Sequence, residues 1–398
     1  SKERKLTMKK ILFITPDFYP NSTGFANACL NLIEAINKFS DGKYEVHVFT
    51  DCELGNSPEI ANIKVLRYKP KLKINRLKYL LNDIEKINAV DKYVKTNEID
   101  IIFFETNTFA FFEYSILKKH KDKCIVRIHS TADTEVPVFT QYKTLGSKLV
   151  KKEMFKFMRE IPYIISTSNY YIDFIMKYYL EENVYSKWQG KSYGILHNTS
   201  SPIDVNIDTI TGNTFLTMGK MSENGLVQKG ITDLLKSVYI LKLRNQLPKD
   251  FNLIIVGTGT KISYLRYKIN KLQLDDICTI IETATHEEVF ELIKKSKAIV
   301  LLSRYEGQSM FITESISMGK PIVITKDNGM EDMLVDGING FSVRVGDIEQ
   351  AANALKTMIE LDSNKLCEMG KNSKKIYEEK FSPKKVYEQF DILMTLKD

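Results

Sequence analysis

The sequence predicts an α/β protein of two domains, each built on a parallel sheet covered by helices. At 398 residues the chain is longer than one ordinary hydrophobic core supports. Short apolar segments alternate with helix-length amphipathic segments, which is the pattern of parallel α/β units. A polar stretch at Ser200–Asn213 lacks this periodicity and contains Pro202 and Gly212, so it divides the pattern in two.

The first half of the pattern begins with a buried strand at Ile11–Thr15, a loop at Pro16–Gly24 and a helix at Phe25–Phe39. Further strands are predicted from short apolar runs with turn residues around them. They lie at Val46–Thr50, Ile63–Tyr68, Ile101–Glu105, Cys124–His129 and Tyr163–Ser166. We therefore expect a Rossmann-like N-terminal domain over residues 8–200.

The second half repeats this architecture after a linker that we place at residues 201–213. Its strands are predicted at Thr214–Met218, Asn252–Val256, Cys278–Ile281, Ala298–Leu302 and Pro321–Thr325, each followed by a helical segment. A C-terminal domain over residues 214–377 follows from this series. Residues 378–398 are expected to form a last helix, because Val386, Phe390 and Leu393 have amphipathic spacing.

Composition narrows the class of protein. The five cysteines are scattered without a CxxC pair, and the five histidines show no HxxxH spacing. These features argue against a disulfide framework and a structural metal site, and they favour a reducing, cytoplasmic compartment. No apolar run approaches the roughly 20 residues that span a bilayer, and no signal-type apolar region follows the basic start. We expect no cofactor and no bound metal.

Charge is distributed unevenly along the chain. Residues 1–200 hold 31 Lys and Arg against 23 Asp and Glu, whereas the remainder holds 26 against 27. A basic N-terminal half could attract nucleic acid, anionic lipid or a phosphorylated substrate. Nucleic acid is the least favoured of these, because the basic half lacks the interleaved aromatic residues typical of single-strand binding.

The segment Leu302–Pro321 is the richest in candidate functional residues. Glu306 lies in the loop after a predicted strand, and Glu314 is expected about two turns into the following helix. Backbone amides of Ser309, Met310 and Phe311 would surround the N-terminus of that helix. Free N–H groups and the helix dipole at this position suit an anion such as a diphosphate.

The two glutamates resemble the E-x7-E motif of retaining glycosyltransferases with the GT-B fold. This group includes bacterial glycogen synthases and phosphatidylinositol mannosyltransferases. Gln308 and Ser309 stand where the family usually has Phe-Gly, and Ser315 stands where it usually has Ala. The resemblance implies two Rossmann-like domains facing each other across a cleft, with the C-terminal helix crossing back to the N-terminal domain.

Further family landmarks occur in the same order along the chain. Gly24 matches the glycine-rich turn that faces the donor phosphates and the acceptor. His129 matches a histidine that contacts the transferred sugar. Asn198 matches a turn before the linker and is expected to be mainly structural.

The segment Thr217–Gly230 resembles the basic donor loop of the family. Lys220 and Lys229 match the two cationic residues that embrace the donor diphosphate, and Gly219 lets the backbone approach closely. Gly257, in the Val-Gly-Thr-Gly turn, matches the turn beneath the nucleotide. The resemblance implies that Glu306 binds sugar hydroxyls near the anomeric carbon and that Glu314 binds ribose hydroxyls.

The implied activity is transfer of a sugar from a nucleotide sugar, with a UDP-sugar as the default donor, to a glycan, lipid-linked or protein acceptor. The C-terminal domain would bind the donor and the N-terminal domain the acceptor, without a divalent metal. The alternative is a non-catalytic paralogue that serves as a binding or chaperone subunit for a glycosyltransferase partner. The sequence does not determine which sugar is transferred, which base the donor carries, what the acceptor is or which linkage forms. It also leaves open the oligomeric state and any covalent role of Glu306.

A basic apolar segment at Tyr142–Arg159 suggests where an acceptor could lie. It carries six Lys and Arg and a single acid, Glu153, interleaved with apolar residues. Such a mixture suits an interfacial helix on an anionic membrane. A surface helix packed on its own sheet explains the same pattern, and the basic N-terminal half favours peripheral membrane association.

Overall fold

The computed structural model describes residues 8–69, 76–106, 111–129, 156–178, 192–203 and 212–397. The chain divides into two compact units. Unit 1 comprises Ser1–Thr199 together with Pro383–Asp398, and unit 2 comprises Ser200–Ser382. In the part of the chain that the structure describes, each unit contains a parallel sheet with helices between most of its strands, which confirms the predicted fold class.

Within the described residues, the sheet of unit 1 has seven strands in the order β3-β2-β1-β4-β5-β6-β7. The strands are β1 (Lys9–Thr15), β2 (Tyr44–Thr50), β3 (Lys64–Arg67), β4 (Ile101–Glu105), β5 (Cys124–Ile128), β6 (Tyr163–Ser166) and β7 (Ser192–Ile195). The first helices are α1 (Gly24–Phe39), α2 (Arg76–Thr96), α3 (Phe111–Lys119) and α4 (Asn169–Tyr178). A 3-10 turn at Lys121–Lys123 precedes β5.

Helix α1 illustrates how the sequence sets these elements. Thr23 caps its N-terminus, and the Thr23 side chain accepts a hydrogen bond from the amide of Ala26 at 3.1 Å. Residues at helical spacing then turn one apolar face to the sheet. The buried members of that face are Ala26, Ala28, Cys29, Leu32, Ile33, Ala35 and Ile36.

The described part of unit 2 has a six-stranded sheet in the order β10-β9-β8-β11-β12-β13. Its strands are β8 (Asn213–Met218), β9 (Phe251–Val256), β10 (Cys278–Ile281), β11 (Ala298–Leu301), β12 (Ile322–Thr325) and β13 (Gly340–Val343). Its helices are α5 (Glu223–Gln228), α6 (Ile231–Leu243), α7 (Ile262–Lys271), α8 (His286–Lys295), α9 (Met310–Ser317), α10 (Ile348–Glu360) and α11 (Ser363–Ile376). A 3-10 turn occupies Glu331–Met333, and a π-helical turn occupies Tyr377–Phe381.

The last helix, α12 (Pro383–Lys397), packs in unit 1 rather than unit 2. Val386, Phe390 and Met394 are buried in the core that also contains residues of β1 and α1. The ammonium group of Lys43 contacts the carboxylate of Asp391 at 2.5 Å. The amphipathic spacing of the last segment correctly predicted a helix. This helix packs on the sheet of unit 1, as the resemblance to the GT-B fold implied.

The basic segment Tyr142–Arg159 is described only at its end, since residues 142–155 lie outside the described part of the chain. Phe157 and Met158 are buried in the core of unit 1. These two apolar side chains pack in their own domain, as the alternative of a surface helix packed on its own sheet expects. Among the described helices, none is long and apolar enough to cross a membrane.

Candidate active site

The strand order of unit 2 reverses between β8 and β11, so the chain leaves these neighbouring strands in opposite directions. Loops at the carboxyl ends of such a pair leave a crevice between them, and open α/β sheets bind ligands there. The loop after β8 carries Gly219 and Lys220, and the loop after β11 carries Glu306. The topology thus brings the two predicted donor motifs to one edge of the sheet.

Glycines let the backbone of this edge pack in close layers. The amide of Gly219 donates to the carbonyl of Val256 at 3.0 Å. At Gly257, where φ is +155°, an added Cβ would lie 1.8 Å from the carbonyl oxygen of Gly219. A larger residue at Gly257 would therefore push the loop after β8 away from β9, which explains the glycine in the Val-Gly-Thr-Gly turn.

Gly219 also makes room for a catalytic candidate. A Cβ at Gly219 would lie 2.6 Å from Cγ of Lys229, so the stem of the Lys229 side chain runs across this glycine. Lys229 comes at the end of α5, and Gly230 follows it with φ of +62°. The segment after Lys220, expected as a loop, therefore contains a short helix that sets the position of Lys229.

Lys229 and Glu306 form an ion pair through the lysine ammonium and Oε2 of the glutamate. The Ser303 hydroxyl donates to the same carboxylate oxygen at 3.1 Å. The side chains are 19% and 12% exposed, so the pair is accessible but largely shielded from water. Lys220 lies on the exposed surface immediately after Gly219. A cation beside a carboxylate at this edge can meet a phosphate and a sugar hydroxyl together.

The N-terminus of α9 follows this carboxylate directly. Ser309 caps the helix, and its hydroxyl accepts from the amide of Ile312 at 3.5 Å. Met310 and Phe311 form the first turn, where amide groups have no partner within the helix. The amides of Ser309, Met310 and Phe311, which were predicted to surround a helix N-terminus, do lie at one. The helix dipole adds positive potential there.

Glu314 lies just over one turn into α9, not two turns as expected, because the helix begins only at Met310. Its side chain is 7% exposed, and Oε1 contacts Nε2 of His286 at 2.9 Å. The hydrogen bond to Glu314 raises the pKa of His286, although partial burial opposes the shift. His286 was not predicted. It is the first residue of α8. The capping box formed by Thr285 and Glu288 is a sequence signal for the start of this helix, but it does not indicate that His286 contacts Glu314.

Within unit 1, Gly24 and His129 lie close to each other. Gly24 is the first residue of α1, and the ring of the next residue, Phe25, lies 4.7 Å from the His129 ring. Nε2 of His129 is hydrogen-bonded to the carboxylate of Glu105, which in turn pairs with Arg127. Neither Glu105 nor Arg127 was predicted, although a charged residue inside an apolar parallel strand is itself an unusual signal.

Asn198 has the structural role expected of it. Its Oδ1 accepts a hydrogen bond from Nη2 of Arg127 at 2.6 Å, and the residue is almost fully buried. The neighbouring His197 is held by Nδ1, which is 2.9 Å from the carbonyl oxygen of Thr167.

Replacing Gly24 by alanine distinguishes a glycine required for packing within the protein from a glycine required for close approach of a ligand. A Cβ at Gly24 meets nothing within 4 Å, and alanine is the better helix former. We expect the melting temperature to be unchanged or slightly higher, while turnover falls about tenfold if a ligand approaches Gly24 closely. Thermal unfolding and a transfer assay on the same preparation measure both. Unchanged turnover would remove Gly24 from the site.

A family model described as "Glycosyl transferases group 1" matches residues 211–376. N-acetyl-alpha-D-glucosaminyl L-malate synthase of Bacillus anthracis is 26% identical over 36% of this chain, and the match covers 37% of that protein. An uncharacterised glycosyltransferase of Methanocaldococcus jannaschii is 22% identical, with 96% of this chain and 98% of the relative covered. The match to the Bacillus protein and the matches to two further curated relatives each span less than half of that relative's length.

Solved structures match nearly the whole chain. Sucrose-phosphate synthase from Thermosynechococcus elongatus superposes with a TM-score of 0.75 at 15% identity, covering 98% of both chains. Anabaena HepE in complex with UDP and glucose superposes with a TM-score of 0.67 at 16% identity, covering 97% of this chain and 99% of HepE. The chain therefore has the GT-B fold, and its residues 211–376 match the model of the group 1 glycosyltransferases.

Proposed function

We propose that this chain is a retaining glycosyltransferase that transfers a sugar from a nucleotide sugar to a glycan, lipid-linked or protein acceptor. The observation that carries the proposal is the Lys229–Glu306 ion pair. It lies at the strand-order reversal of unit 2, where Glu306 belongs to the loop that leads into α9 and Lys229 ends α5. In this reading residues 214–377 bind the donor, and residues 8–200 bind the acceptor.

Each residue has a definite task in the proposed reaction. Negative charge grows on the leaving diphosphate, and Lys220, Lys229 and the N-terminus of α9 stabilise it. Glu306 binds hydroxyls of the transferred sugar near the anomeric carbon. His129 is proposed to contact the transferred sugar, as the family resemblance implies. Because cationic side chains and the helix dipole meet the phosphate charge, we propose a reaction that needs no divalent metal, and activity should survive EDTA.

Glu314 is proposed to bind the ribose hydroxyls of the donor. Glu314→Ala should weaken nucleotide binding about ten- to hundredfold, because a charge-assisted hydrogen bond contributes about 1.5 to 3 kcal/mol. A thermal-shift screen with UDP-, GDP- and ADP-sugars tests this, since ligand binding raises apparent stability. Glu349→Ala, at a surface ion pair with Arg244, is the control. Equal shifts for both variants would contradict the role of Glu314.

Nucleotide affinity should also depend on pH through His286. Its raised pKa means that the protonated ring pairs more tightly with Glu314 than the neutral ring does. If ribose hydroxyls must displace this contact, affinity should fall as pH decreases from 8 to 6. His286→Ala should remove the dependence, which titration calorimetry measures. A pH profile identical in wild type and His286→Ala would show that the contact does not compete with the nucleotide.

We favour a UDP-sugar as the donor, supported by the resemblance to HepE, whose solved complex contains UDP and glucose. A lipid-linked or phosphate-bearing acceptor is supported by the positive charge of the N-terminal half. We expect binding to anionic vesicles in co-sedimentation, reduced in Lys151→Glu/Lys152→Glu and absent with neutral lipid. Negligible binding in every case would favour a soluble glycan or protein acceptor.

A further inference from the structure

A groove lies at one edge of the unit 2 sheet, between helix α7 and strand β10. Its volume is about 430 Å³, within the roughly 300–1,000 Å³ that is usual for ligand pockets. We term it the edge groove. It is lined by side chains of α7, of β10 and of the segment between them, namely Arg266, Tyr267, Ile269, Asn270, Asp275, Cys278 and Ile280.

The sheet topology explains why this groove is open. Strand β10 pairs with β9, and in the described part of the chain no strand continues the sheet on its other side. Helix α7 packs Leu265 and Ile269 into the core of unit 2, so it covers the inner part of this face. Cys278 and Ile280 of the edge strand are therefore only partly buried, and the strip of sheet outside α7 stays open to a ligand.

The edge groove combines apolar surface with polar groups. Ile269 and Ile280 supply apolar side chains at its base, and the side of the groove carries Tyr267, which is 57% exposed. Nδ2 of Asn270 donates to Oδ2 of Asp275 at 3.4 Å. This long bond uses one of the four hydrogen bonds that a side-chain amide can make, so donors and acceptors remain for a ligand.

The charges of the edge groove favour an uncharged ligand. Its two charged residues, Arg266 and Asp275, have opposite signs. Nη2 of Arg266 also contacts Oε1 of Glu282 at 2.7 Å, so the guanidinium group already has an anionic partner. Cys278 adds no charge, because burial raises the pKa of its thiol to about 12. Among the lining residues, a phosphate would thus meet no cation without an anionic partner.

We propose that the edge groove is a binding site for a neutral glycan. A sugar ring has apolar faces of C–H groups and a rim of hydroxyl groups, so it needs an exposed aromatic ring beside hydrogen-bonding groups. Tyr267 stacks on one face of a sugar ring, and Asn270 and Asp275 bind its hydroxyls. The inference goes beyond the proposed function, because it concerns a glycan that is held without reacting.

The edge groove is separate from the candidate active site. Cys278 is the first residue of β10, whereas the donor motifs follow the carboxyl ends of β8 and β11. All these strands are parallel, so the groove begins toward the opposite edge of the sheet from Lys229 and Glu306. A glycan held here stays at the protein, which raises its effective concentration near the candidate site.

Binding can be measured on the full chain without any transfer reaction. The probes are maltohexaose, cellohexaose, chitohexaose and mannohexaose, each added with UDP in excess. We expect at least one probe to bind and to shift the methyl NMR signals of Ile269 and Ile280, which Ile269→Val and Ile280→Val assign. Binding of none of the four, or binding that leaves both methyl signals unchanged, would overturn the proposal.

Tyr267→Ala should weaken binding of that probe roughly tenfold or more, because it removes the stacking surface. Tyr264→Ala is the matched control, since Tyr264 is an exposed tyrosine of the same helix that does not line the edge groove. Asn270→Ala, at an exposed position, should also weaken binding. Glu306→Gln should bind the probe as wild type does, which keeps this result independent of the proposed reaction. Equal affinity in the two tyrosine variants would contradict the site.

Two other occupants give different results in the same experiments. Inorganic phosphate that shifts the Ile269 and Ile280 methyl signals at lower concentration than any of the glycans would identify an anion site. A dimer in analytical ultracentrifugation that Tyr267→Ala dissociates, together with no glycan binding, would identify an interface between copies of this chain. Either result would overturn the glycan site.

Discussion

Replacing Glu306 by glutamine is expected to abolish most sugar transfer while leaving nucleotide affinity nearly unchanged. The carboxylate pairs with Lys229 and accepts from Ser303, and it lies at the strand-order reversal where the transferred sugar is proposed to bind. Glutamine keeps the size of the side chain but removes its charge. We expect turnover to fall roughly 10²–10³-fold, the scale seen when one group that stabilises a transition state is lost.

The measurement is steady-state transfer together with nucleotide titration on the same variant. Glu349→Gln provides a control glutamate in unit 2, at the surface and paired with Arg244. Near-normal turnover of Glu306→Gln would contradict the assignment of Glu306 to the sugar. A large loss of nucleotide affinity would instead move Glu306 toward the nucleotide.

Lys229→Ala is expected to reduce turnover by a similar factor for a different reason. Its ammonium group is held against Glu306 and its stem crosses Gly219, so the charge has a fixed position near the N-terminus of α9. Because charge on the leaving diphosphate grows during the reaction, loss of this cation should lower kcat more than it raises donor KM. Lys220→Ala should act in the same direction.

Lys236→Ala is the control for this pair, since Lys236 is an exposed lysine on α6 of the same unit. Donors with leaving groups of lower pKa should lose less activity in Lys229→Ala, because they need less stabilisation. If Lys229→Ala changes only donor KM, the lysine binds the ground state and does not assist departure of the diphosphate.

Strand positions could be predicted where apolar residues run uninterrupted, and less well where glycine or polar residues enter. β4 (Ile101–Glu105) has the predicted bounds, because five consecutive residues are buried. β7 and β13 were not predicted as strands, since Ser192–Ile195 and Gly340–Val343 contain glycine and polar residues. Gly340 shows why such residues are needed: an added Cβ would lie 1.8 Å from the carbonyl oxygen of Ile322 on the neighbouring strand.

The sequence likewise indicated some residues of the candidate site but not the contacts between them. The family resemblance selected Lys229 and Glu306 as candidates, but their ion pair depends on the turn at Gly230 and on the neighbouring strands β8 and β11. The contact between Glu105 and Arg127 depends on the register of two strands that are separated by α3 in the sequence. His286 meets Glu314 from a different helix. Such pairings are set by tertiary packing, so the sequence contained the residues without indicating their partners.

The most direct test of the central proposal is the anomeric configuration of the product. Wild-type protein would be incubated with a UDP-α-sugar, and the transferred or hydrolysed sugar would be followed by ¹H NMR before mutarotation. A retaining enzyme predicts an α-configured product that appears together with UDP and is lost in Glu306→Gln. A β-configured first product, or no consumption of UDP-, GDP- or ADP-sugars, would contradict the account.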